Sequence, residues 1–227
     1  MKENYVLCDA SSLISLTGAC LDSVIDFFHD KFRVKFVVPQ SVEYEAVARP
    51  LSLKTKIYCF SALRIQNLIN KRAIEVVPES KDEKTKELMK QGNHIYHAAG
   101  KSLKLIQKGE TEMLILSREL NIPSLLMDER TTRFLIESPI TLKKHLEDEF
   151  HTHIMVNKKS LMSFSNRVKG MNVIRSTELV YTAYEEGFFS KFGSKESEAA
   201  EAALYRLKYA GCAVSFNELK EYSKMMK

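Results

Sequence analysis

Four short apolar runs, Tyr5-Val6-Leu7-Cys8, Phe36-Val37-Val38, Ala73-Ile74-Glu75-Val76-Val77 and Ser124-Leu125-Leu126-Met127, stand far apart in the chain, and most of what separates them has helical spacing. Each run is too short for a helix. The first and last run directly into Asp9 and Asp128, and the middle two end at Pro39 and Pro78. Buried strands alternating with helices predict a parallel sheet covered on both faces, because each parallel neighbour needs a crossover connection. The expected class is α/β, with four or five strands if Asn172-Val173-Ile174 adds a short one.

Between the first two strands, Leu13, Leu16, Leu21, Val24, Ile25, Phe27 and Phe28 keep helical spacing after a cap at Ser11 or Ser12. Leu53 to Lys71 reads as one amphipathic helix. Asp82 to Lys108 reads as helical but highly charged, divided at Gly92. Glu110 to Leu120 is a compact helix, and Pro123 sets up the strand after it. Beyond Arg133 the alternation loosens into a helix at Leu142 to Phe150, an extended piece at His153 to Val156 and a basic helix at Lys158 to Lys169. Helices are expected again at Glu178 to Gly187, Glu196 to Ala210 and Phe216 to Met225. No repeat or linker interrupts the sequence, which predicts one domain with an elaborated C-terminal part.

With 227 residues, 44% of them hydrophobic, the chain can bury a large core. Cys8, Cys20, Cys59 and Cys212 form no Cys-x-x-Cys pair, which argues against a zinc knuckle or a disulfide framework and for reduced thiols. The opening residues MKENYVLCDASS are too poor in apolar content for a signal peptide, and no window approaches the roughly 18 apolar residues of a membrane span. A soluble, cytoplasmic protein without a membrane partner is expected.

The chemistry points to four carboxylates at element ends: Asp9, Glu45 after the second strand, Glu110 at a helix start and Asp128. Ligands bind at the carboxyl ends of strands in open parallel sheets, so acids distant in the chain can converge there. Clustered carboxylates repel, and a hard cation with oxygen ligands resolves the conflict, which suggests magnesium or manganese. Of 34 basic and 29 acidic residues (net +5), setting those four acids aside leaves 25 acids and +9. An acidic pocket on a basic body suits a polyphosphate substrate. Taken singly, Asp9 and Asp128 also fit helix caps or turn residues, Glu110 can offset a helix dipole, and Glu43 is as available as Glu45.

The segments VLCDASSLISL, VVPQSVEYEAV, GETEMLILSREL and SLLMDERTTRFL together resemble the PIN domain, a nuclease family related to the five-prime and flap nucleases and used by many prokaryotic toxins. The resemblance covers about residues 5 to 134 and resumes at VIRSTELVYTAYEEGFF. It implies a three-layer α/β/α sandwich with a core at 1–137, an insertion at 138–170, and a last strand with C-terminal helices at 171–227. It selects Glu45 over Glu43, and it makes Asp9, Glu45, Glu110 and Asp128 the catalytic acids. Ser11 is the neighbouring hydroxyl; Asp9, Glu110 and Asp128 are the metal ligands. Glu112 and Glu129 fall outside the quartet because they point elsewhere in the simplest geometry.

What the resemblance implies in function is a metal-dependent ribonuclease that hydrolyses phosphodiester bonds of single-stranded or structured RNA with Mg2+ or Mn2+. Arg130, Arg133, Lys158, Lys159, Arg167 and Lys169 are the expected phosphate contacts, although bases at helical spacing also mark solvated faces. A homodimer and an antitoxin are the protein partners such a family suggests. Competing readings are an RNA-binding or ribonucleoprotein-interaction module with little turnover, and a phosphatase-like enzyme using Asp9 as nucleophile, which would ordinarily want a second Asp where Ser11 stands. The pairs His94 with His97 and His151 with His153 could chelate a transition metal, and Tyr181, Tyr184, Phe188 and Phe189 could stack bases, but surface or packing roles fit both sets better.

Overall fold

The computed structural model describes residues 4–80 and 82–226. Strand β1 (Asn4–Cys8) leads through α1 (Ala10–Gly18) and α2 (Ser23–Phe32) into β2 (Val34–Pro39). A continuous helical run follows, made of α3 (Gln40–Glu43), a π-helical turn (Tyr44–Ala48) and α4 (Arg49–Ser52), and then α5 (Cys59–Asn70) returns the chain to β3 (Ile74–Val77). Helix α6 (Asp82–Gly92) precedes two short strands, β4 (Tyr96–Ala98) and β5 (Lys101–Ser102), and α7 (Lys108–Glu119) leads into β6 (Ser124–Leu126). Helices α8 (Arg130–Glu137) and α9 (Pro139–Phe150), strand β7 (Ile154–Val156) and α10 (Lys158–Val168) come before β8 (Asn172–Ile174). The chain closes with α11 (Ser176–Glu185), a 3-10 stretch (Ser190–Lys195), α12 (Glu196–Ala210) and α13 (Phe216–Met225).

The main sheet is parallel, in the order β3-β2-β1-β6-β8, with Leu7 opposite Val37 on one side and Leu125 on the other. Because side chains alternate along a strand, Leu7, Val37, Leu125 and Met127 enter one core, and Cys8, Phe36, Val38 and Leu126 enter the other. Helices cover both faces, as the α/β reading expects. Connections run from β1 to β2 and β3 on one side and to β6 and β8 on the other. The order therefore reverses between β1 and β6, which is where an open parallel sheet leaves a crevice.

Three expected helices are revised. The helix from Leu13 to Phe28 is two helices bent by 108°. The first ends where Cys20 takes the left-handed conformation (φ 60) and Leu21 N–H bonds Leu16 O at 2.8 Å, a closure that stops the hydrogen-bond ladder. The helix expected from Leu53 begins only at Cys59, and Leu53 and Ile57 are exposed, so their spacing reflects no buried stripe. The stretch from Asp82 to Lys108 is helical only to Gly92. A Cβ at Gly92 would lie 2.3 Å from Ile106 Cδ1, so the missing side chain lets the next segment fold back against the helix.

That returning segment ties the expected insertion into the body of the protein. Strand β4 pairs antiparallel with β5 and with β7, forming a second, three-stranded sheet. Leu142, Leu146, Ile154, Phe164 and Val168, all within 138–170, share the core of Leu7 and Leu125. Among the described residues, no single helix is long and apolar enough to cross a membrane.

Candidate functional site

Asp9 and Asp128 stand just past the carboxyl ends of β1 and β6, the two strands between which the order reverses. Asp9 follows β1 directly, and its N–H bonds Leu126 O of β6 at 3.0 Å. Its carboxylate caps α1: Ser12 N–H donates to Oδ1 at 2.8 Å and Ser11 Oγ to Oδ2 at 2.5 Å. Asp9 is only 5% exposed. Burial raises its carboxyl to about 7 against the lowering effect of the Ser11 and Ser12 bonds, and the charge of Asp128 adds to the rise.

Asp128 is 1% exposed, and its Oδ1 accepts the Ser176 N–H at the start of α11 at 2.7 Å. Its Oδ2 is buried with no hydrogen-bond partner. Burial, then the nearby Asp128 charge and a thiol hydrogen bond to its side chain, push the Cys212 thiol well up, so that this cysteine stays protonated against the carboxylate. A buried carboxylate oxygen with no N–H or O–H donor, and at most a weakly donating thiol beside it, is costly, and a cation supplied from outside the chain would relieve it.

The other acids gather along the same edge. Glu110 lies in the first turn of α7, and its Oε2 accepts Gln107 N–H at 3.0 Å in a capping box. Burial raises its carboxyl, and the charges of Glu129 and Glu45 raise it further. Glu45 sits exposed in the π-helical turn, and a Cβ on Gly109 would stand 3.6 Å from its Oε2, so the carboxylate lies against the start of α7. Such π turns are frequent at functional sites because the extra residue redirects a side chain. Glu43 remains in the α-helical turn before it.

The quartet therefore falls into two electrostatic groups, Asp9 with Asp128 and Glu110 with Glu45, and Glu129 joins the second. Among the described residues, no three His, Cys, Asp or Glu side chains stand close enough together to form a preassembled metal site. Glu129 was excluded by simple strand geometry, yet it belongs to the second group. Its oxygens turn back to cap α8, accepting Thr131 N–H at 2.7 Å and Thr132 N–H at 2.6 Å, and its charge is felt at Glu110. The acid immediately before Arg-Thr-Thr was the available signal, since an acid before a helix start is a capping pattern.

Glu112 points away from Glu110, as expected, but it is no spectator. It is 1% exposed and accepts the Ser41 hydroxyl and, at 3.0 Å, the Ser80 N–H. One buried carboxylate thus joins α7 to the segments that follow β2 and β3, fixing the helix that carries Glu110.

The expected phosphate contacts divide. Arg133 is mostly buried, stacked over Phe134 at 4.5 Å and 3.4 Å from Glu137, so it belongs to packing and not to a phosphate path. Arg167 pairs with Glu87 at 2.7 Å on the surface, which partly neutralises it. Arg130 is exposed but shares a groove with Asp148 and Glu149, which oppose a phosphate there. Lys158, Lys159 and Lys169 are exposed at the two ends of α10.

The histidines take local partners: His94 Nδ1 donates to Lys90 O at 2.8 Å, His97 Nε2 meets Ser102 Oγ at 3.0 Å and His153 meets Glu147 at 2.9 Å. His151 is the left-handed cap of α9. The aromatic group packs: Tyr181 lies 5.3 Å from Tyr222, and Phe188 lies 5.3 Å from Phe27 and 4.9 Å from Phe189. Tyr184 donates to Met226 O at 3.0 Å. No protein-family model, curated protein or solved structure matches the chain.

Proposed function

We propose that the chain is a PIN-type ribonuclease, dependent on magnesium or manganese, that hydrolyses phosphodiester bonds of RNA. The observation that carries this reading is the pair Asp9 and Asp128 at the reversal of strand order, with Asp128 Oδ2 buried and without an N–H or O–H donor. Carboxylate oxygens match hard cations, and a cation would offset the burial that lifts Asp9 and the smaller repulsion from Asp128. Asp9 and Asp128 would hold the ion, with Glu110 and Glu45 contributing through water. When bound, such an ion stabilises the charge that develops on a phosphodiester and lowers the pKa of an attacking water.

The chain's own residues do the positioning. Ser11 and Ser12 hold the plane of the Asp9 carboxylate, and Ser176 holds one oxygen of Asp128 while leaving the other free. Burial around both acids keeps bulk water from screening them. Glu112 anchors the helix that presents Glu110. On this reading RNA is the substrate, an antitoxin or a second copy of the chain is a partner outside the site, and the four free cysteines suit the reducing cytoplasm.

A second reading, a PIN-like RNA-binding module with little turnover, draws on the local capping bonds of Asp9, Glu110 and Glu129, which give those acids structural work. Incubating labelled single-stranded RNA with manganese separates the two. The ribonuclease reading expects cleavage by the wild type and its loss in Asp9→Asn and Asp128→Asn. Cleavage unchanged in both variants removes the assigned site, and no cleavage by folded wild type favours the binding module.

A further inference from the structure

Helix α6 sorts its charges by face. Lys84, Glu87 and Leu88 turn toward α7 and α10, where Lys84 meets Glu119 at 2.6 Å, Glu87 meets Arg167 at 2.7 Å and Leu88 is buried. The other stripe, Lys86, Met89, Lys90 and Asn93 at spacings of three and four, walls an open groove of about 420 Å³. The facing wall includes Lys104, Ile106 and Gln107. Among the described residues, no carboxylate lines this groove.

Lys86 is neutralised in part by Asp82 at 2.5 Å, whereas Lys90 and Lys104 are exposed and have no ion pair among the described residues. The groove is also held in shape. Asn93 Oδ1 accepts the N–H groups of Leu105 at 2.6 Å and Ile106 at 2.9 Å, and its Nδ2 donates to Ile106 O at 2.9 Å. Two unpaired ammonium groups thus flank a partly apolar surface at Met89, on a wall clamped before any ligand arrives. Gln107 lines the groove, and its N–H is bonded to Glu110.

From this geometry we infer that the groove seats a single strand of nucleic acid, with phosphates on Lys90 and Lys104 and a base against Met89, and leads it to Glu110. Spaced cations along a groove with an apolar contact between them fit a strand whose charges and flat bases alternate. A peptide of acidic residues would use the lysines and leave the apolar surface idle. The role of the groove as a path to cleavage rests on the ribonuclease reading; the binding itself does not.

The test is fluorescence anisotropy of a labelled oligouridylate of roughly 12 nucleotides, followed across a salt series in the presence of EDTA so that no cleavage occurs. The double variant Lys90→Ala/Lys104→Ala is expected to bind about 10-fold more weakly, with the slope of log affinity against log salt shallower by about 1.4. Circular dichroism melts of the variant control for folding. An unchanged slope, a loss carried instead by Lys158→Ala/Lys159→Ala, or equal competition by oligoglutamate overturns the inference. Binding that depends on Lys90 and Lys104 without cleavage in manganese supports the groove and counts against the ribonuclease reading; cleavage with an unchanged slope does the reverse.

Discussion

Asp9 and Asp128 follow adjacent parallel strands, and the charge of Asp128 adds to the burial that lifts Asp9 to about 7, while Asp128 keeps one oxygen buried without an N–H or O–H donor. Two carboxylates in this relationship oppose folding unless a proton or a cation joins them.

The first consequence is a pH dependence of stability. The folded state binds the Asp9 proton more tightly than the unfolded chain does, so stability falls as pH rises from about 4 to about 7 and stays at the lower level above that. Asp9→Asn keeps an acceptor for Ser12 N–H and removes the titration. The variant is expected to be more stable than wild type at pH 8, by up to about 4 kcal/mol, and to show no such gain near pH 4. Urea melts at the two pH values measure this, and an equal difference at both contradicts it.

Glu218 titrates with the opposite sign. Although burial works against it, the Ser215 N–H and the Arg175 guanidinium hold its carboxyl down at about 2. Its contribution is present above the ordinary carboxylate range and lost as pH falls from about 4 toward 2. Solvent screens this half-exposed side chain, so Glu218→Gln should cost about 1 kcal/mol at pH 7, with the difference closing in acid. Thermal melts across that range show whether α13 is tied down in this way.

Glu129 and Asp128, adjacent in sequence, should separate by function. Glu129→Gln keeps one cap acceptor and is expected to lose about 1 kcal/mol or less while RNA cleavage persists. Asp128→Asn should abolish cleavage. Equal losses of activity would make Glu129 a member of the site.

Arg133→Ala is expected to lower stability by about 1–3 kcal/mol, through lost packing on Phe134, and to leave RNA affinity of the folded protein unchanged. A variant that melts normally and binds RNA weakly would return Arg133 to the phosphate path.

The sheet was legible because burial on both faces leaves an uninterrupted apolar run, and the five strands of the main sheet fall on the runs read from the sequence. Helices α12 and α13 were equally clear from spacing, with Gly211 ending the first; the structure adds Ser215 as the cap of the second. The stretch after Gly92 was not, since the bonds of Asn93 to Leu105 and Ile106 and the pairing of β4 with β7 are tertiary and leave no periodicity. At the site, strand ends located Asp9 and Asp128. Sequence spacing could not foresee that the Glu129 charge would act on Glu110, that Glu112 would bind Ser41 and Ser80, that Arg133 would pack on Phe134, or that Arg167 would pair with Glu87.

The most direct measurement is a manganese soak of crystals of this protein, read by anomalous scattering, with Asp9→Asn/Asp128→Asn as the control. The account predicts a peak bonded to carboxylate oxygens of Asp9 and Asp128, including Asp128 Oδ2, and its absence in the double variant. No peak between Asp9 and Asp128 at millimolar manganese, or a peak that survives in the variant, would contradict the proposed site.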